Sequence, residues 1–231
     1  MGKKYELTEE TKEFYGRTLY RIKALKDFGD VEVGDLGGYI ESESNLMQEG
    51  CAWVYGNAMV YGSARVCDNA KVYGDAKVFD NANVYGDAKV FGNANVYGDA
   101  MVLGSADVCG SANVYGSANV YGYADVRGDA DVCGYANVYG SANVYGYADV
   151  RGDAEIKGKT DYIVFKNWWS SGRYFTWTRS NNMWKVGCFY GTGKELVEKA
   201  YKDSELSGRE YERVVKYVES ILADEKKQRK Q

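Results

Sequence analysis

The sequence contains no histidine and no proline. Histidine is the commonest general base near neutral pH and a standard nitrogen ligand for zinc, so its absence removes the histidine-dependent form of each chemistry and leaves a carboxylate or cysteine as the bases available. The five cysteines are odd in number and none forms a C-x-x-C pair, so neither a zinc site nor a disulfide framework is expected. No run of 18 apolar residues occurs, and the opening Met-Gly-Lys-Lys-Tyr-Glu-Leu has no apolar signal region. These absences predict a cytoplasmic chain with no membrane partner.

What is abundant is glycine, with 28 residues, and tyrosine, with 22. The net charge of −4 is unevenly divided. Residues 1–50 carry 7 basic and 11 acidic side chains (−4), residues 51–158 carry 7 and 12 (−5), and residues 159–231 carry 15 and 10 (+5). With the change of composition after Gly158, this predicts three parts. They are an N-terminal cap and first irregular coil (1–50), a repeat domain (51–158) and a basic aromatic module (159–231).

Valine recurs at every sixth position from Val54 to Val150, and Ile156 closes the series. Alanine recurs two places earlier, from Ala52 to Ala154, which makes eighteen unbroken hexads. Ala-x-Val has period two, so both side chains share one face of a short strand. The Gly-Asp, Gly-Asn and Gly-Ser pairs that follow are turn chemistry. A strand and a turn of such constant phase predict a solenoid whose narrow interior is filled by Val and Ala.

The [Ile/Val]-x-x-x-Ala-x pattern resembles the hexapeptide-repeat superfamily. The segment Asp27-Phe-Gly-Asp-Val, then Gly34-Asp-Leu-Gly-Gly-Tyr-Ile, then Gln48-Glu-Gly-Cys-Ala-Trp-Val-Tyr-Gly-Asn-Ala58 is similar to the opening of bacterial and phage members described as transferases. The resemblance spans residues from about 18 to 158. It implies a left-handed parallel β-helix of about six to seven coils and a homo-oligomer, dimer or trimer. Leu46 and Val54 are eight residues apart instead of six, so a bulged coil is expected there, with "RTLYRIKAL" as a strand closing the end. The superfamily's acyltransferases use a histidine base, and its γ-type carbonic anhydrases hold zinc with three histidines. With none to carry over, the expectation is a chain that is not an enzyme, with no catalytic residue, metal or cofactor.

The residue after each valine points outward or to a corner. Tyr61, Phe79, Tyr97 and Tyr115 fall in one column, and Tyr85, Tyr121 and Tyr139 in another. Such half-apolar ladders either stabilise the sheet along its strands or form an oligomer interface.

After Gly158, "DYIVFKNWW", "RYFTWTRS" and "NMWKVGCFYG" predict a three-stranded antiparallel sheet. Thr192 with Glu195, and Ser207 with Glu210, read as capping boxes that open two helices, with a frayed tail over 224–231. The fold class is therefore mostly β: a β-helix followed by a small α+β domain. This module holds four of the five tryptophans among basic residues. Trp168, Trp169, Arg173, Tyr174, Trp177, Arg179, Trp184 and Lys185 are the candidate ligand-binding set, since aromatic and basic platforms stack bases and neutralise phosphates. The competing reading makes most of these rings the core of a small domain.

Two functions follow. One is capture of a small anionic, nucleotide-like ligand on an oligomeric β-helix platform. The other is a nucleic-acid or protein interaction scaffold acting through 159–231, with an acyltransferase-like enzyme ranked third. The C-terminal stretch resembles one carried by bacteriophage proteins. That implies a phage accessory role in the host cytoplasm, including sequestration of a host nucleotide signal as an anti-defence function.

Overall fold

A computed structural model describes residues 2–228 of the chain. It divides into two units, Met1–Asp161 and Tyr162–Gln231.

The first unit opens with a hairpin of β1 (Tyr5–Phe14) and β2 (Arg17–Ala24). Its turn is made by Tyr15 and Gly16, both at positive φ. Strand β2 pairs antiparallel with β3 (Leu36–Ile40), and β3 pairs in parallel with Met59–Val60. The predicted closing strand is thus the inner arm of a hairpin that continues one sheet of the β-helix.

Eighteen two-residue strands follow, β4 (Trp53–Val54) to β21 (Glu155–Ile156). Each pairs in parallel with residues 18 positions away, as Lys89 pairs with Lys71 on one side and Asp107 on the other. Three strands to a coil make six coils. A further incomplete coil is supplied by β3 and by a bridge from Leu46 to Val66. Ahead of the eight-residue step, between Ile40 and Leu46, lies a 3-10 turn (Glu43–Asn45), and the buried Asn45 amide donates to the carbonyls of Gly62 and Ala64, both at 2.9 Å. That side chain satisfies carbonyls that the turn leaves without a strand partner, since the Asn45 N–H donates to Ser42 O instead.

Every repeat Ala and Val is buried. Backbone bonds run coil to coil, as from Asn95 N to Ala112 O at 2.9 Å and from Tyr97 N to Val114 O at 3.0 Å. At the corners the glycines sit directly over one another. Gly98 takes φ 69°, and a Cβ there would meet the N and O of Gly116 at 3.0 Å. Asp68 and Asp80 take this left-handed conformation in glycine's place. Asp68 repays it locally, since its carboxylate accepts from Gly86 N–H at 3.0 Å on the next coil.

The second unit is an antiparallel meander of β22 (Tyr162–Lys166), β23 (Tyr174–Thr178), β24 (Met183–Val186) and β25 (Phe189–Gly191), in that spatial order. It has four strands, not the three expected, because "NMWKVGCFYG" reverses at Gly187 (φ 55°) instead of running straight. Helix α1 (Gly193–Asp203) begins at the expected capping box of Thr192 and Glu195. Helix α2 (Glu205–Gln228) starts before the expected Ser207 box. The Ser204 hydroxyl accepts from Ser207 N–H at 3.1 Å and takes the capping role instead. The tail expected to fray is helical to Gln228, and its residues 229–231 lie outside the described ones. No helix among the described residues is long and apolar enough to cross a membrane.

Candidate functional site

Side-chain parity decides the fate of the aromatic platform. Phe175 and Trp177 on β23 share a face with Trp184 and Val186 on β24, and that face packs on Leu196, Tyr211, Val215 and Val218 of the helices. Trp177 and Trp184 are 1% and 2% exposed. Both were expected to bind ligand, and both are instead core: a sheet covered by two helices must turn its largest apolar side chains towards them. The Trp177 indole N–H is also committed, donating to Asn182 Oδ1 at 2.9 Å.

The expected cations are similarly placed. Arg179 makes a two-pronged ion pair with Glu225 on α2, at 2.7 and 3.0 Å. Lys185 is buried and donates to the carbonyl of Gly187. Neither is thereby presented to solvent as a free phosphate contact. Arg173 is exposed, and its Cδ would lie 3.2 Å from any Cβ placed at Gly187.

Trp168 and Trp169 remain outside, 72% and 73% exposed. The Lys166 ammonium lies 4.3 Å from the Trp168 ring centroid and 5.3 Å from that of Tyr174. The loop that carries the exposed tryptophans is held by Asn167, a residue outside the expected ligand set. Its buried side-chain oxygen accepts from Trp169 N–H at 2.9 Å and Ser170 N–H at 3.2 Å, and its amide donates to Ser170 Oγ at 2.9 Å. An Asn bonding the backbone two residues on is a turn former, and that signal stood in "NWWSSG".

Beside this loop, between β22 and α2, lies a groove of about 530 Å³. Ile163, Phe165 and Val214 give it an apolar floor, and Trp169 and Tyr217 stand at its margin. Tyr217 is 62% exposed. Its charged lining is Lys166, Arg213 and Glu210, with Arg213 bonded to Glu210 at 2.6 Å. The volume falls within the usual range for ligand pockets. Of the eight expected ligand residues, only Trp169 lines this groove.

On the β-helix, Tyr61, Phe79, Tyr97 and Tyr115 form one continuous stack, with centroids 5.0, 4.8 and 4.9 Å apart and planes within 3°. Tyr121 and Tyr139 stack at 5.2 Å, and the Tyr85 hydroxyl lies 3.9 Å from Met101 Sδ. Tyr61, expected at an interface, is only 8% exposed. The hairpin covers it, with the Phe14 ring at 5.7 Å and the Arg17 guanidinium at 5.9 Å, so it has little surface to offer a partner. Burial pushes the Tyr61 phenol up to about 12. The other six expected interface rings are half-buried against their own neighbours. A second depression of about 440 Å³ is lined by Asp30, Tyr55, Lys71, Tyr73 and Lys89. Asp30 accepts from Lys71 and from the Tyr55 hydroxyl, each at 2.8 Å, and the Lys71 bond holds its carboxyl below the ordinary range. Among the described residues no group of three His, Cys, Asp or Glu side chains is placed to hold a metal ion.

No family model matches the chain. Over 61 residues it is 39% identical to a protein named "Uncharacterized acetyltransferase YdcK" from Escherichia coli (strain K12). The match covers 23% of this chain and 19% of that protein's length. Together with the solenoid it fits the hexapeptide-repeat β-helix superfamily. That relative's name also corrects the expectation that the chain is not an enzyme. Lack of histidine removes only histidine-dependent steps, and carboxylates, cysteines and tyrosines can serve as acids, bases or nucleophiles.

Proposed function

We propose that the chain is a binding protein whose C-terminal unit captures a ligand with an apolar body and an anionic group. The groove between β22 and α2 carries this reading, since its apolar floor meets Lys166, Arg213 and the solvent-exposed Trp169, whose backbone Asn167 holds. Apolar burial supplies affinity, and the rim cations select charge. A nucleotide-like molecule is one ligand of this description. With it would come the phage accessory role and capture of a host nucleotide signal.

The test is titration of the full chain with adenosine monophosphate, a single-stranded oligonucleotide and an acidic peptide, followed by tryptophan emission. Saturable quenching by one of the three, lost in Trp169→Ala, supports capture. If all three leave the emission unchanged, or Trp169→Ala binds as well as the parent, the groove is not the capture site.

Acyl transfer is the second reading, favoured by the name of the Escherichia coli relative. Release of free coenzyme A thiol from acetyl-coenzyme A by the pure protein, dependent on an added amine or hydroxyl acceptor, would support it. A rate equal to the blank across acceptors would remove it.

A further inference from the structure

Strand β22 is an open edge, with β23 on one side and no strand among the described residues on the other. Its hydrogen-bonding parity follows from one contact. Asn167 N–H donates to Arg173 O at 2.9 Å, and the register runs on through Lys166 with Tyr174, Phe165 with Phe175 and Ile163 with Trp177. Antiparallel pairs alternate between those that exchange both backbone bonds and those that exchange none. Phe165 and Ile163 therefore bond to β23, while the N–H and C=O groups of Val164 and Lys166 point away from the sheet. The same two residues line the groove, opposite Arg213, Val214 and Tyr217 of α2.

Open edges are ordinarily blunted by proline, by bulges or by repeated charge. Here the edge reads Tyr-Ile-Val-Phe-Lys, its pairing register has no shift, and its one charge stands at the end. The unit that carries this edge is basic in sequence, and the groove's own charged lining is Lys166, Arg213 and Glu210. Residues 162–231 hold 14 basic and 9 acidic side chains, a net +5. A second copy of the chain would bring one +5 unit against another, so an acidic partner is the better match.

Resting on the reading of this groove as the capture site, we propose that its occupant is an extended, acidic peptide segment that adds to β22 as a further strand. Its backbone would bond to Val164 and Lys166. Alternate apolar side chains would enter the floor formed by Ile163, Phe165 and Val214, and its carboxylates would meet Lys166 and displace Glu210 from Arg213. Strand addition of this kind draws affinity from main-chain bonds and selectivity from the pockets for alternate side chains.

The experiment uses the full chain and a library of acetylated hexapeptides alternating acidic and β-branched residues, with a control library carrying lysine in place of each acid. Fluorescence polarisation measures binding to the parent, V164A, V164P, K166E and W169A, with circular dichroism as the check on folding. Proline is tolerated where an edge N–H faces outward, so V164P keeps the sheet while removing one donor and adding bulk. The expected result is binding of acidic members to the parent and V164A, with a loss of about tenfold or more in V164P. K166E should weaken the acidic members, and slowed amide exchange at Val164 and Lys166 should accompany binding. Undiminished binding by V164P and K166E overturns strand addition. If W169A nevertheless abolishes that binding, the capture site stands without it. Failure of every acidic member to bind the parent also overturns strand addition, and the nucleotide arm of the titration above then decides the capture reading separately.

Discussion

The side-chain oxygen of Asn167 accepts the backbone N–H of Trp169 at 2.9 Å, and through that bond a buried residue sets the course of the exposed loop. Asn167→Ala leaves the N–H groups of Trp169 and Ser170 without their acceptor. The expected cost is about 1–3 kcal/mol of stability in the C-terminal unit. Ligand capture should weaken with it. Denaturant unfolding read by tryptophan emission measures the first effect. A variant as stable as the parent would show that the loop is held by other contacts.

The corner glycines separate two costs that usually travel together. Gly56 and Gly98 both have positive φ, at 59° and 69°. A Cβ on Gly56 would have its nearest neighbour at 3.9 Å, whereas on Gly98 it would meet the backbone of Gly116 at 3.0 Å. Gly56→Ala should therefore carry conformational strain alone, about 1 kcal/mol. Gly98→Ala should cost more, because the coil above cannot yield without breaking the bond from Asp99 N to Gly116 O. Equal shifts in thermal midpoint would show that the coils open freely at their corners.

The β-helix was legible because its information is local and repeated: each Val and Ala states its own burial, and eighteen agreeing copies leave no other phase. The C-terminal site was less legible for a physical reason. Trp168 and Trp177 are the same residue type in the same basic segment, yet one lies in water and the other in the core. The difference is strand parity relative to helices that come later in the chain, and neither face of "RYFTWTRS" is apolar enough to declare itself. The groove needs Ile163 and Tyr217, which only the fold brings together. Tyr61 was misjudged for a similar cause, since its column is regular but Phe14 and Arg17 close over it from outside the repeat.

The ring ladder should behave as a structural element in its own right. Tyr97 lies between Phe79 at 4.8 Å and Tyr115 at 4.9 Å. Tyr97→Ala removes two stacked pairs and should destabilise the β-helix by about 1–3 kcal/mol. Tyr97→Phe should be close to neutral, since Phe79 already occupies the equivalent place one coil away. Chemical unfolding of the two variants checks this. A harmless Tyr97→Ala would mean that the stack is a consequence of strand spacing and contributes little.

Lys4 makes the N-terminal end of the β-helix sensitive to alkaline pH. Its side chain is fully buried, donating to Ala52 O at 2.9 Å and Glu49 O at 3.3 Å, and burial lowers its pKa from 10.5 to about 8. The folded state therefore releases this proton near pH 8, while the unfolded chain holds it to about 10.5. Between those values the unfolded state binds more protons, so this group's contribution to stability rises with pH. Below pH 8 the cost of burying the charge is fully present. Tyrosines and cysteines act in the opposite direction. Burial raises Tyr61 and Cys133 in the folded state, so the stability they add is present below their unfolded pKa values and is lost as pH rises past them. The informative quantity is thus the difference between the parent and Lys4→Met. The parent should gain on the variant across pH 8 to 10.5, by an amount on the order of 3 kcal/mol. A difference that stays flat over that window would place the charged ammonium comfortably in its pocket, with the carbonyls of Glu49 and Ala52 and the Phe28 ring as sufficient solvation.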